Sequence, residues 1–142
     1  MNWFECKVSY EKMMENGMVK KVIEPYLVDA LSHAEAEARV IEELKPYISG
    51  DFTVETVRRV RYAEVFASSE SDYWWRANVS FITLDERSGA EKRSNVAMLA
   101  GGDTIEDAIE TLHEGMKGTM ADYHISGMKE SNILDIFIHG KD

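Results

Sequence analysis

Two halves of this 142-residue chain follow one pattern. Trp3-Phe4-Glu5-Cys6-Lys7-Val8-Ser9-Tyr10 aligns with Trp74-Trp75-Arg76-Ala77-Asn78-Val79-Ser80-Phe81 at an offset of 71 residues, keeping Trp, Val and Ser in place. Aromatic and β-branched residues alternating with polar ones mark both octets as strands. Each is followed by a polar connection containing glycine, Gly17 or Gly89, and then by a basic pair, Lys20-Lys21 or Lys92-Arg93. A hairpin is the economical reading of both stretches.

The return strands end in Tyr26-Leu27-Val28 and Met98-Leu99-Ala100, and a helix start follows each. Ser32 stands three residues before Glu35 and Thr104 three before Asp107, so a cap oxygen precedes a first-turn carboxylate in both halves. Ala36, Val40, Leu44 and Ile48 then recur every fourth residue, matched 72 positions later by Ala108, Leu112, Met116 and Met120. Pro46 limits the first helix, expected over 34–45, and Gly115 and Gly118 loosen the end of the second. The closing segments match again: Asp51-Phe52-Thr53-Val54 with Asp122-Tyr123-His124-Ile125, and Glu64-Val65-Phe66 with Asp135-Ile136-Phe137. Each pair reads as one interrupted strand or two short ones.

The expected fold is therefore α+β: a duplicated strand-strand-helix-strand unit, with a mostly antiparallel sheet and two helices covering one face. The repeats run 1–68 and 73–142 and are expected to share one core, with Ser68 to Asp72 as the linker. Periodicity leaves open whether the strands form one sheet or two.

Charge bears on partners. Lys and Arg number 16 against 26 Asp and Glu, a formal net charge of −10. That field repels polyanions at long range, so unspecific binding to nucleic acid or an acidic membrane is not the first expectation. The sign is uneven, however. Residues 31–51 hold five acidic and two basic side chains, and 97–127 six acidic and one basic, whereas 52–68 carry Arg58, Arg59 and Arg61 against Glu55 and Glu64. A basic patch on a sheet whose helices face elsewhere is compatible with the total. No apolar run approaches 20 residues, so a cytoplasmic protein with no membrane partner is expected.

No reactive constellation appears. The four histidines, His33, His113, His124 and His139, form no His-x-His or His-Glu-x-x-His pattern, and the single cysteine, Cys6, sits in an apolar strand as a small core residue would. His124 and Asp122 share a strand face at i, i+2, a weak metal pair at best. Gly101-Gly102 lies between a strand and a helix but lacks both Gly-x-Gly-x-x-Gly and a Walker lysine, and Asp103 puts negative charge where a phosphate would sit. Glu35, Glu42, Glu43, Glu106, Asp107, Glu110 and Glu114 fall on helix surfaces or first turns. An enzyme is not the expectation, and neither a cofactor nor a metal is called for.

Binding is better supported. Trp3, Trp74 and Trp75 lie at corresponding strand starts, and alternation turns one of the Trp74-Trp75 pair away from the core. Arg76 adjoins them. Arg59 and Arg61 share a face if their strand is regular. These six residues are the ligand-binding candidates, since aromatic and guanidinium groups together can stack on bases and contact phosphates. Strand edges near Phe4 or Ile136-Phe137-Ile138 would also suit pairing into a homo-oligomer.

The stretches Trp3 to Val8, Glu24-Pro25-Tyr26-Leu27-Val28-Asp29-Ala30, Glu35 to Arg39, Phe81 to Glu86 and Glu114-Gly115-Met116-Lys117-Gly118-Thr119-Met120-Ala121-Asp122-Tyr123 resemble a family of uncharacterised proteins, domain of unknown function 4494, of Bacteroides-group bacteria and their phages. The resemblance covers nearly the whole chain and implies a small intracellular, phage-related protein. It transfers no catalytic residue. Ala100-Gly101-Gly102 is richer in glycine than the family's usual strand end. The leading expectation is a non-enzymatic binding or interaction protein with a protein partner or small anionic ligand. The alternatives are single-stranded nucleic-acid or nucleotide binding through the sheet, and acidic helices that mimic nucleic acid toward a basic partner protein.

Overall fold

The computed structural model describes residues 2–138, so His139 lies outside the described residues. These residues form β1 (Trp3–Met13), β2 (Val19–Asp29), α1 (His33–Leu44), β3 (Phe52–Val60), β4 (Glu64–Phe66), β5 (Trp74–Leu84), β6 (Glu91–Gly101), α2 (Ile105–Gly115), β7 (Asp122–Ser131) and β8 (Asp135–Phe137). The fold is α+β with the duplicated order intact. On the point that periodicity leaves open, there are two four-stranded sheets, ordered β3-β1-β2-β8 and β4-β6-β5-β7, each with its own helix. Pairing is antiparallel apart from the short β2/β8 and β4/β6 ladders, which are parallel.

Compact units and sequence repeats do not coincide. Of the described residues, the first unit comprises 2–61 and 133–138, and the second comprises 62–132. Each repeat thus gives its last short strand to the other repeat's sheet: β4 pairs with β6, and β8 pairs with β2. The chain passes between units at Arg61-Tyr62 and at Asn132-Ile133, not at the Ser68 to Asp72 stretch.

In the first unit, Phe4, Cys6 and Val8 from β1 and Tyr26 and Val28 from β2 meet Ala36, Val40, Leu44 and Ile48, the four-residue stripe of α1 and its exit turn. Ser32 caps α1, its hydroxyl accepting from the Glu35 amide at 3.1 Å. Asp29 at the end of β2 pairs with Arg39 on α1 at 2.7 Å, with both side chains largely buried. β8 supplies Phe137, stacked on Tyr26 with ring centroids 5.8 Å apart.

The second unit repeats this plan. Ala77 and Val79 of β5 and Met98 and Ala100 of β6 pack under Ala108, Leu112 and Met116 of α2. Thr104 caps the helix by accepting from the Asp107 amide at 3.1 Å. α2 stops at Gly115, and Gly118 adopts φ +89°, so Met120 is 98% exposed instead of continuing the helical stripe as Ile48 does. Gly115 also admits Phe66 from β4, because a Cβ there would lie 2.4 Å from its ring. The Gly101-Gly102 run has a packing cause as well: a Cβ on Gly102 would stand 2.4 Å from the Ala108 nitrogen, and one on Gly101 2.9 Å from the Ser68 nitrogen.

Both central pairs carry a bulge at the same place. The β1/β3 register shifts between Lys7 and Val8, leaving Glu55 as the extra residue. The β5/β7 register shifts between Asn78 and Val79, leaving Ser126. Among the described residues, no helix is long and apolar enough to cross a membrane.

Candidate functional site

Alternation along β5 sends Ala77 and Val79 into the core and turns Arg76, Asn78 and Ser80 to the face away from α2. Register brings Ala97 and Asn95 of β6 beside Asn78 and Ser80, and His124 of β7 opposite Ser80. Arg93, two residues before Asn95, Val96 and Ser126 at the bulge complete the lining of an open groove of about 530 Å³. Its lining contains two guanidinium groups and an imidazole, and no carboxylate.

The polar groups in it are held in part by one another. Ser80 donates to Asn95 Oδ1 at 2.6 Å, and the Ser126 hydroxyl donates to the Asn78 carbonyl at 3.2 Å. Arg93 lies 3.9 Å from Glu91, with both side chains about half exposed, a pairing of little energetic weight. Arg76 forms no ion pair among the described residues and stands directly across from Lys129 of β7. Two like charges in opposed cross-strand positions disfavour the pairing unless an anion lies near.

The first unit has a corresponding groove of about 590 Å³ with the opposite balance. Ser9, Lys21 and Glu55 occupy the places of Ser80, Arg93 and Ser126, and Glu11 and Asp51 also line it. Glu55 accepts from the Ser9 hydroxyl at 2.5 Å and sits 3.8 Å from Lys21 Nζ. Where the second unit sets Arg76 against Lys129, the first sets Glu5 against Arg58, an ion pair at 3.5 Å.

The sequence-derived candidates separate. Arg76 lies in the groove. Trp75 instead packs against the second core and donates its indole N–H to the Gly102 carbonyl at 2.7 Å, while Trp74 is half-buried at the start of β5. Trp3, Arg59 and Arg61 belong to the first unit: Trp3 is buried, and Arg59 is exposed and donates to Asn2 Oδ1 at 2.7 Å. Arg61 lies beyond the end of β3 at Val60, so strand alternation no longer ties it to the face of Arg59. β1, which carries Phe4, is an inner strand, whereas β8 is an outer one.

Arg93 and His124 join Arg76 in the groove, and the neutral partners Asn78, Ser80, Asn95 and Ser126 carried no signal of their own in the sequence. His124 is not part of a metal cluster: no three His, Cys, Asp or Glu side chains gather among the described residues. Burial, with Glu37 and Glu5 nearby, pushes the Cys6 thiol up to about 12, so at neutral pH it is a protonated core group. At the start of α2, Asp103 accepts from the Asp72 amide at 3.2 Å.

Neither the curated proteins nor the solved structures hold a match to this chain. The family model described as Domain of unknown function (DUF4494) matches residues 2–139, which take in both repeats and every groove residue, and the chain belongs to that family.

Proposed function

We propose that this protein is a non-enzymatic binding module that captures an anionic group on the open face of its second sheet. The observation that carries this reading is the concentration of Arg76, Arg93 and His124 in a groove without a carboxylate, on a chain of net charge −10. Three strands fix the backbone positions from which those side chains reach into the groove. Guanidinium groups favour oxyanions because their N–H forks match two acceptor oxygens at once.

Of the two sheet-binding alternatives, a small anionic ligand fits this groove better than a nucleic-acid strand. No Phe, Tyr or Trp side chain lines it, and base stacking on such rings is the main sequence-tolerant contribution to single-strand binding. The exposed Glu106, Glu110 and Glu114 of α2 support the separate reading of an acidic surface that engages a basic partner protein. Self-association, a cytoplasmic setting and a Bacteroides-group or phage origin are further parts of the proposal, the last supported by the family resemblance alone.

Calorimetric titration of the full chain with inorganic phosphate, glutarate and a short single-stranded oligonucleotide tests the reading. At least one should bind, and Arg76→Ala with Arg93→Ala should weaken it at least tenfold and flatten its salt dependence. No binding by any of the three, or equal binding by the double variant, would overturn it.

A further inference from the structure

The two units answer the same geometric problem with different residues. At the bulge of the first sheet, the extra residue is Glu55, and its carboxylate lies between the Ser9 hydroxyl and the Lys21 ammonium. At the bulge of the second sheet, the extra residue is Ser126, while Ser80 and Arg93 keep the hydroxyl and the cation at the positions of Ser9 and Lys21. At the position of the Glu55 carboxylate the second sheet has a neutral hydroxyl, while the cation is present in both. The balance further along the same face changes the same way: Glu5 opposite Arg58 becomes Arg76 opposite Lys129. At these positions, the first sheet answers its basic groups with its own acids, whereas the second sets Arg76 against Lys129 and leaves Arg93 only a half-exposed Glu91 at 3.9 Å.

We infer that the anion recognised by the second groove is a carboxylate, placed by Ser80 and Arg93 as Glu55 is placed by Ser9 and Lys21. This inference rests on the anion-binding reading above and names its ligand class. The 2.5 Å contact of Ser9 with Glu55 is a charge-assisted hydrogen bond, and this scaffold therefore already supports a carboxylate at that point of a bulged sheet. Arg93 in place of Lys21 adds the planar fork that holds both carboxylate oxygens. Ser80 donates to Asn95, and a side-chain amide can turn to present its nitrogen, so the hydroxyl proton is free to swing to a ligand oxygen. Arg76, four residues from Ser80 on the same strand face, supplies a second cationic end and suits a ligand with two carboxylates. That chemistry is met by a free dicarboxylate or by acidic side chains of a peptide.

The test installs the first unit's answer in the second. In the full chain, Ser126→Glu should supply the carboxylate internally and weaken glutarate binding at least tenfold, and Ser126→Gln, with the same length and no charge, should weaken it at least threefold less than Ser126→Glu does. Lys117→Gln, in the turn after α2, makes the same change in net charge outside the groove and should leave affinity within about threefold. Glutarate and a glutamate-rich hexapeptide are titrated separately: tighter binding of glutarate assigns a free dicarboxylate, and tighter binding of the hexapeptide assigns acidic side chains. Phosphate or oligonucleotide binding without either carboxylate, or Ser126→Glu binding glutarate as the parent does, would overturn the inference while leaving anion capture standing. Loss of binding in Lys117→Gln equal to that in Ser126→Glu would also overturn it, because net charge would then account for the effect. Matching circular dichroism spectra across the variants confine each outcome to the groove.

Discussion

Arg76 on β5 and Lys129 on β7 are directly opposed cross-strand partners, at the two positions where the first unit pairs Glu5 with Arg58. The same two sheet positions thus hold an opposite-charge pair in one unit and a like-charge pair in the other. Such a pair is a local cost to the fold, and the proposed capture of an anion would give it a use.

Restoring opposite charge should therefore stabilise the protein while impairing capture. Lys129→Glu is expected to raise stability by about 0.5 kcal/mol in urea unfolding at low salt, and to weaken anion binding in the same preparation. Unchanged stability would mean that the two side chains diverge into solvent.

The buried pair Asp29 and Arg39 fastens β2 to α1. Arg39→Leu should destabilise the chain by roughly 3 kcal/mol, because it removes the guanidinium from a buried ion pair whose Asp29 side chain is 8% exposed. The urea midpoint reads this directly. The second unit has Gly101 and Thr111 at the matching positions, so no equivalent loss is expected from Thr111→Val.

Gly102 is required for close approach and not for an unusual φ. Gly102→Ala should cost about 2 kcal/mol, since the added methyl meets the Ala108 backbone, which cannot turn aside. The glycine-rich strand end is thus a packing device, testable by thermal unfolding.

Alkaline pH should destabilise the first unit. Burial raises the Cys6 thiol to about 12, and burial with a hydrogen bond to Glu24 raises the Tyr10 hydroxyl to about 12; Tyr26 moves in the same direction by burial and the nearby Glu24 charge. All three stay protonated longer in the folded chain than in the unfolded one. Stability is then fully present below pH 9 and falls as pH rises from about 9 toward 12. Cys6→Ser should reduce the slope of that decline, as measured by urea unfolding across this range. Native protein should also resist thiol alkylation at pH 8.

Much of the fold was legible because duplication repeats its own evidence. The Trp3 and Trp74 strands, the Ser32 and Thr104 caps and the four-residue stripes each recur at nearly one offset, and the structure places them in equivalent roles. The exchange of β4 and β8 was not legible. A three-residue strand carries no mark of the sheet it joins, and Glu64-Val65-Phe66 and Asp135-Ile136-Phe137 suit either edge. The groove was only partly legible for a related reason. Arg76 stood out beside two tryptophans, but its partners come from β6 and β7, and Ser126 acquires meaning only when the bulge sets it against Glu55. The tryptophans themselves drew attention away from the groove, since Trp75 is a core side chain with a satisfied N–H.

The central claim is that the open face of the second sheet receives an anion. Backbone amide shift mapping of the full chain during a glutarate titration tests it most directly. The account predicts saturable shifts centred on residues 76–80, 93–97 and 124–126, absent in Arg76→Ala with Arg93→Ala. Shifts confined to other surfaces, or none at millimolar glutarate, phosphate and oligonucleotide alike, would contradict it.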